Sequence, residues 1–214
     1  MTVARHANRS TRAGVRWRTL WPILALLGAT AAIGVAAHIS DDFPGDSAAY
    51  HLKHDKPALG QPIDAAVDAL GALARPAPAV VVVLVLALIA YRAVGGRGLV
   101  LAPAMLGAPA VSSALKPVFG VPELESRFRY PVDTFPSGHA AYAAAAGGFA
   151  AWLALRAGRP RLAAALVILI AAVGLARVAA GVHWPSDVVA GWTLGTAWLL
   201  AGLLAAGLAV RPAK

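Results

Sequence analysis

The sequence of 214 residues contains no cysteine, and only 14% of its residues are charged. Because cysteine is absent, disulfide bonds and thiolate-bound metal sites are excluded. About a quarter of the residues in soluble domains are charged, so the shortage of charge sets this chain apart from them. Instead, 59% of the residues are hydrophobic, and many stand in long runs. This pattern favours helices that cross a membrane over a large soluble core.

Six apolar segments are candidates for membrane-spanning helices, which need about 17–25 apolar residues. They are Leu20–Ala37, Ala69–Tyr91, Gly98–Leu115, Gly138–Leu155, Leu162–Ala176 and Val188–Val210. The second is interrupted by Arg75 and two prolines, and the fifth is short and ends at Arg177. The pattern predicts an all-α polytopic membrane protein with six transmembrane helices in a bundle.

The predicted organisation is one transmembrane domain (20–210) between a basic N-terminal arm (1–19) and a short tail (211–214). The longest polar stretch, 41–68, leaves room for a short interfacial helix. The arm and the apolar run Leu20–Ala37 resemble a secretory signal. That run exceeds the usual apolar core of about 7–15 residues, so we expect an uncleaved anchor.

The distribution of charge orients the bundle. Basic residues gather before the first span, between spans two and three, between four and five, and after the sixth, whereas acidic residues fall on the other side. By the positive-inside rule, both termini are expected in the cytoplasm of a bacterial-type plasma membrane. The net charge of +9 is therefore interpreted as a topology signal with modest attraction for anionic lipid, and nucleic acid is not an expected partner.

Three stretches on the predicted outer side carry reactive side chains: Leu115–Pro131, Phe135–His139 and Ala176–Asp187. Their cations, histidines, carboxylate and serine–glycine turn are Lys116, Arg127, Arg129, Ser137, Gly138, His139, Arg177, His183 and Asp187. Ionisable residues at the ends of spans are functional candidates. Converging cations require an anion, and histidines with a carboxylate transfer protons and form bonds. The combination suits phosphoryl transfer.

Each residue also has a structural interpretation. Ser137 is suited to cap the fourth span, His139 to bond a loop carbonyl, and Asp187 to complement a helix dipole. Lys116 and Arg177 have long side chains that reach the interface from the end of a span. The combination of all these residues, rather than any one of them, favours a catalytic site.

Two local features strengthen the catalytic interpretation. Gly138 lets a phosphate approach the backbone amides at a helix N-terminus, where the helix dipole favours anions. His183 and Asp187 are four residues apart, so they meet over one turn if Pro185 opens the sixth span.

These residues resemble the motifs of the type 2 phosphatidic acid phosphatase (PAP2) family of integral-membrane lipid phosphatases. The family pattern is Lys-x6-Arg-Pro, then Pro-Ser-Gly-His, then Ser-Arg-x5-His-x3-Asp. Residues 136–139, "PSGH", match the second motif completely. Arg177, His183 and Asp187 match the third motif at the correct spacing, although Ala176 replaces its serine.

The first motif departs from the family pattern. Lys116 is present, but Glu123 stands seven residues later, where the family has arginine. The stretch "SRFRYP" follows soon after. We interpret the difference as a short insertion, with Arg127 in the place of the family arginine and Arg129 as the second choice.

The resemblance implies an acid-phosphatase-like helical core and a metal-independent phosphatase without a cofactor. It implies that His183 is the nucleophile and forms a phosphohistidine, and that His139 is the general acid and base. The residues are compatible with this, because a neutral imidazole attacks only when its other nitrogen carries the proton and is held, and Asp187 is placed to hold it. The implied phosphate-binding residues are Lys116, Arg127, Arg129, Ser137, Gly138 and Arg177.

The expected substrate is a lipid phosphate within the membrane. Candidates are polyprenyl diphosphates such as undecaprenyl diphosphate, glycosylated polyprenyl phosphates, phosphatidylglycerophosphate and phosphatidic acid, and the sequence leaves this choice and the oligomeric state open. One alternative is a non-catalytic PAP2-like transporter or lipid-binding protein with a degenerate site, which Glu123 and Ala176 favour. Another is a haloperoxidase-like or acid-phosphatase-like relative that acts on soluble phosphoesters, which the six spans disfavour.

Overall fold

The computed structural model describes residues 3–39, 45–46, 61–119, 134–180 and 182–208. Throughout these ranges the regular structure is helical, which confirms the predicted all-α class. The helices are α1 (Val3–Ile39), α2 (Gln61–Ala72), α3 (Pro76–Val94), α4 (Leu101–Phe119), α5 (138–156), α6 (Pro160–Ala179) and α7 (Pro185–Ala205). A 3₁₀ turn, Gly95–Val100, joins α3 to α4. Helix α5 contains a π-helical turn at Ala143–Gly147.

The six predicted apolar segments correspond to six of these helices. By length and composition, the regions that are apolar enough to cross a membrane are Leu20–Ala37, Pro76–Phe119, Pro160–Ala179 and Pro185–Ala205. The region Pro76–Phe119 holds two helices, α3 and α4. The fourth apolar segment forms α5, which the π turn divides. The chain is therefore a polytopic helical membrane protein, as predicted.

The second span begins later than predicted, at Pro76 rather than at Ala69. Proline disfavours helical backbone in the residue before it, and Arg75 is accordingly extended, with φ −67° and ψ 151°. The residues before this break form a separate helix, α2. The sixth span also shifts: α7 begins at Pro185 and ends at Ala205, because proline suits the first turn of a helix and Gly207 adopts a positive φ of 66° after its end.

Helix α7 lies at the centre of the packing and contacts α1, α4 and α5. Its glycines allow backbones to approach closely, the usual means of association in lipid, where apolar burial supplies little driving force. A Cβ added to Gly191 would lie 2.5 Å from the carbonyl oxygen of Ser137, and one on Gly202 would lie 2.7 Å from the Cβ of Ala104. Helices α3 and α6 expose large apolar side chains such as Leu84 and Ile168, as lipid contact requires.

Two interhelical hydrogen bonds add polar contacts to this packing. The hydroxyls of Thr30 on α1 and Thr193 on α7 lie 2.8 Å apart. The Tyr142 hydroxyl on α5 donates to the carbonyl oxygen of Ala79 on α3 at 3.2 Å. Such bonds between membrane helices contribute about 0.6 kcal/mol on average. The close glycine contacts are therefore expected to matter more for stability.

The substitution Gly191→Ala should destabilise the protein, because the new methyl group would meet the rigid backbone of Ser137. We expect the detergent-solubilised variant to melt at a lower temperature, followed by intrinsic tryptophan fluorescence. Gly28→Ala is the matched control, because a Cβ there meets no atom within 4 Å and alanine is the better helix former by about 1 kcal/mol. A Gly191→Ala protein that melts at or above the temperature of Gly28→Ala would contradict the packing described.

Candidate functional site

The turn before α5 is fixed to two neighbouring helices. The Ser112 hydroxyl on α4 donates to the carbonyl oxygen of Pro136 at 2.8 Å. The Ser137 N–H donates to the carbonyl oxygen of Asp187 on α7 at 3.0 Å. Ser137 is fully buried and caps α5, because its hydroxyl accepts the N–H of Ala140 at 3.4 Å. These bonds place His139 in the first turn of a firmly held helix.

The start of α7 holds the second histidine. Asp187 lies in the first turn, and its Oδ2 is 3.2 Å from Nδ1 of His183. The same Oδ2 accepts the backbone N–H of Trp184 at 3.0 Å. The exposed fractions of the two side chains are 9% for His183 and 3% for Asp187. A carboxylate at Nδ1 favours the tautomer with the proton on that nitrogen and leaves Nε2 with a lone pair.

The predicted site residues that the structure describes converge at one end of the bundle. Lys116 lies in the last turn of α4, and Arg177 lies in the last turn of α6. Both, together with His183, lie close enough to the His139 imidazole to interact with it electrostatically. Gly138 is the first residue of α5. Arg127 and Arg129 lie outside the described residues.

Arg177 presents an unused donor. Its Nε is buried, and no described residue accepts a hydrogen bond from it. The guanidinium packs against α2, where a Cβ on Gly71 would lie 2.5 Å from Nη1. A buried donor without an acceptor costs about 1–3 kcal/mol, and more when it is charged. An anion at this position would remove that cost.

Ala176, which replaces the serine of the family motif, is buried at 5% exposure beside Arg177. Its methyl side chain offers no hydroxyl to an anion. Within the described ranges, histidine and acidic side chains form no group of three or more that could hold a metal ion. The donors that converge here are cationic and neutral N–H groups, which suit an anionic ligand.

An apolar cavity of about 280 Å³ lies beneath this cluster, between α3, α5 and α6. Tyr142 and Ala143 line it, and they follow His139 by three and four residues, so they share a helix face with it. Val173 also lines it and precedes Arg177 by four residues. The cavity therefore begins one helical turn into the membrane from the polar residues.

Three polar residues near the site were missed by the sequence analysis, and one of them is Asp68 on α2, a carboxylate that interacts electrostatically with Arg177. Arg75, at the break between α2 and α3, interacts electrostatically with both His139 and Arg177. The sequence carried a signal for Arg75, because it is a lone cation within an apolar run and such residues are functional candidates. Asp46 binds the buried Ser186, accepting its N–H at 3.1 Å and its hydroxyl at 2.7 Å. That pair is separated by 140 residues, so no local pattern could have indicated it.

A family model of the PAP2 superfamily matches residues 97–210, more than half of the chain. The chain belongs to the PAP2 superfamily. The residues matched include α4 to α7, and thus every described residue of the cluster except Arg75 and Asp46. At the level of the family, this membership supports the interpretation of the protein as a phosphatase that acts on a lipid phosphate.

The fold of this PAP2 protein is similar to a solved structure described as the first transmembrane PAP2-type phosphatidylglycerolphosphate phosphatase from Bacillus subtilis. The TM-score is 0.64, with 19% sequence identity over 87% of this chain and 94% of the other chain. This similarity supports the fold. No curated protein matched the chain.

The substitution Asp46→Ala should destabilise this PAP2 protein, because it leaves both donors of the buried Ser186 without their acceptor. The expected loss is about 1–3 kcal/mol for an unsatisfied buried donor. Thermal unfolding in detergent measures it. Ser113→Ala is the control, because the Ser113 hydroxyl makes an exposed bond. If the losses of stability from Asp46→Ala and Ser186→Ala add in the double variant, the two side chains do not stabilise each other. That result would contradict the hydrogen bond between them.

Proposed function

We propose that this PAP2 protein hydrolyses the phosphate monoester or diphosphate of a membrane lipid, with His183 as the nucleophile. The observation that carries the proposal is the contact of His183 with the buried Asp187, together with the electrostatic interaction of His183 with His139. A carboxylate-held histidine, a second histidine and several cations are the groups that a metal-free phosphoryl transfer needs. The family membership supports the same reaction class.

In the first step, the lone pair on Nε2 of His183 attacks the phosphorus atom. The bond between phosphorus and the leaving oxygen breaks, and protonated His139 donates its proton to that oxygen. The Nδ1 proton stays between His183 and Asp187, whose carboxylate balances the charge of the phosphorylated ring. The products of this step are a phosphohistidine and the lipid without its terminal phosphoryl group, which is an alcohol from a monoester and a lipid monophosphate from a diphosphate.

In the second step, water attacks the phosphohistidine, and the now neutral His139 accepts a proton from it. The bond between phosphorus and Nε2 breaks, inorganic phosphate leaves, and His183 returns to its starting state. His139 is thereby protonated again for the next turnover. Each histidine therefore has one role, covalent for His183 and proton transfer for His139.

The cations stabilise the charge that spreads over the phosphoryl oxygens in the transition state. Lys116 and Arg177 are the described candidates, and Arg127, followed by Arg129, is the choice from the sequence. The buried Nε of Arg177 would gain the acceptor that it lacks among the described residues. The N-terminus of α5, with Gly138 as its first residue, adds amide donors that favour an anion.

The apolar cavity supports a lipid substrate rather than a soluble phosphoester. It opens beneath the cation cluster and is lined by apolar residues of the membrane-spanning helices. A lipid phosphate has the matching shape, with a charged head at the interface and an apolar chain below it. A binding protein that has lost its activity is the second candidate, and Ala176 is the observation in its favour.

The substitution His183→Ala should abolish phosphate release while the protein still folds. Loss of a covalent nucleophile costs several orders of magnitude in turnover. The measurement is phosphate release from a panel of lipid phosphates in detergent micelles, with thermal unfolding as the test of folding. His6→Ala, in the basic arm, is the control histidine variant. Substantial residual turnover in His183→Ala would refute its role as nucleophile, and a wild-type protein that releases no phosphate would favour the binding function.

We further propose that the site faces the extracytoplasmic side, with both termini in the cytoplasm, because the arginine-rich segments lie at the opposite end of the spans. The chain has no native cysteine, so single introduced thiols can report the topology. A membrane-impermeant thiol reagent should label Asp133→Cys in intact cells and Arg159→Cys only in opened cells. The reverse pattern would overturn this orientation.

A further inference from the structure

Helix α2 covers the end of α6 that carries Arg177. The two helices pack against each other. At the end of α2, the carbonyl oxygen of Gly71 accepts the N–H of Ala74 at 3.3 Å, and at the end of α6 the carbonyl oxygen of Arg177 accepts the N–H of Val182 at 3.2 Å. The backbones of Gly71 and Arg177 are therefore both held, and only the Arg177 side chain has freedom to move between them.

Gly71 provides the space in which the end of the Arg177 side chain lies. A Cβ added to Gly71 would be 2.5 Å from Nη1 and 3.6 Å from Cζ of Arg177. Non-bonded heavy atoms are normally about 3.5–4.0 Å apart, so a methyl group at this position would displace Nη1 by about 1 Å. Because the guanidinium is the movable end of a long side chain, this displacement would cost the fold little.

The contact with Gly71 uses the side of the guanidinium that is opposite the Nε donor. The guanidinium is planar and its donors form a rigid fork, in which the N–H of Nε points away from Nη1. Nε is buried, and no described residue accepts a hydrogen bond from it. Because Nη1 backs onto α2, the Nε edge is left for a ligand, and arginine can bind phosphate oxygens through two parallel hydrogen bonds.

Asp68 adds an attractive charge on the same face of α2. It precedes Gly71 by three residues, which makes the two residues neighbours on the helix surface. Asp68 attracts the Arg177 guanidinium and Arg75 repels it, and the effect of Asp68 is the larger. Asp68 is exposed, so solvent and salt screen its attraction. We therefore expect the steric limit at Gly71 to matter more than the charge of Asp68.

We propose that α2 positions Arg177 for the reacting phosphoryl group, with Gly71 and Asp68 as positioning residues that act through Arg177. The inference rests on the proposed function and deepens it, because it adds two residues that lie outside the matched residues 97–210. Gly71 sets how far the guanidinium extends, and Asp68 draws it towards α2. The Nε edge then faces the phosphoryl oxygens, although neither residue of α2 touches the substrate.

The substitution Gly71→Ala should lower kcat for phosphate release by about 10–100-fold, as expected for a displacement of about 1 Å in a catalytic group. The melting temperature in detergent should not fall, because alanine is a better helix former than glycine and only the end of Arg177 has to move. A purely structural role for Gly71 would lower both quantities. Gly28→Ala is the matched control, because a Cβ there meets no atom within 4 Å.

The substitution Asp68→Asn should lower kcat by about 3–5-fold, a smaller effect because exposed charge pairs are weak. Asp68→Glu should restore most of the turnover, since it returns the carboxylate. Asp64→Asn is the control, because it removes the same charge from α2 one turn earlier, and its kcat should equal that of wild type. A lower inhibition constant for inorganic phosphate in Asp68→Asn would show that the carboxylate competes with phosphate for Arg177, and would overturn its positioning role.

Arg177→Lys provides the decisive background. Lysine keeps the charge but lacks the rigid fork, so Gly71→Ala should have little further effect on the turnover that remains in Arg177→Lys. Equal fold losses in the two backgrounds would show independent effects and would overturn the inference, as would a Gly71→Ala protein with wild-type kcat. Either result leaves the proposed function standing, whereas a wild-type protein that releases no phosphate would contradict the proposed function itself.

Discussion

The backbone hydrogen bond from Ser137 to Asp187 connects the N-terminus of α5, which carries His139, to the first turn of α7, which His183 precedes. It spans 3.0 Å between residues that are 0% and 2% exposed, so its loss would leave the buried N–H of Ser137 unpaired, at about 1–3 kcal/mol. His139 follows Ser137 by two residues, and His183 precedes Asp187 by four. Because each imidazole is joined to this hydrogen bond by only a few residues, the hydrogen bond constrains the distance between the two imidazole rings. The close approach of α7 that Gly191 allows is the condition for it.

Polar groups at this depth need partners, because lipid offers none. Ser112 supplies one for the turn before α5, Asp187 supplies one for Trp184 and His183, and Asp46 supplies one for Ser186. The Nε of Arg177 and the Nε1 of Trp192 differ, since no described residue accepts from either, and of the two only Arg177 is cationic. In native proteins such exceptions are few, and a functional role is a common explanation. The contrast between these satisfied positions and the cationic Arg177 is what supports the proposed anion site.

The features that sequence predicted best are those with local physical causes. Hydropathy marks the spans because a membrane imposes the length of an apolar helix. The spacing of His183 and Asp187 indicated their contact, although the Asp187 carboxylate makes it by reaching back past the extended Trp184 and not over a turn of helix. The start of the second span was misplaced although Pro76 marks it, because the apolar run continued across the break. Asp46 and the covering of Arg177 by α2 depend on contacts between distant segments, for which one sequence carries no local signal.

The shape of the bundle agrees with the direction that the proposed reaction requires. In-line displacement puts the leaving oxygen on the side of the phosphorus atom opposite the attacking nitrogen. The proposed nucleophile, His183, lies two residues before α7, which is packed closely against α5 through Gly191 and Gly195. None of the described cavity-lining residues belongs to α7; they lie on α3, α5, α6 and the segment before Arg75. In the proposed reaction, a lipid chain held in the cavity therefore contacts α3, α5 and α6 rather than α7.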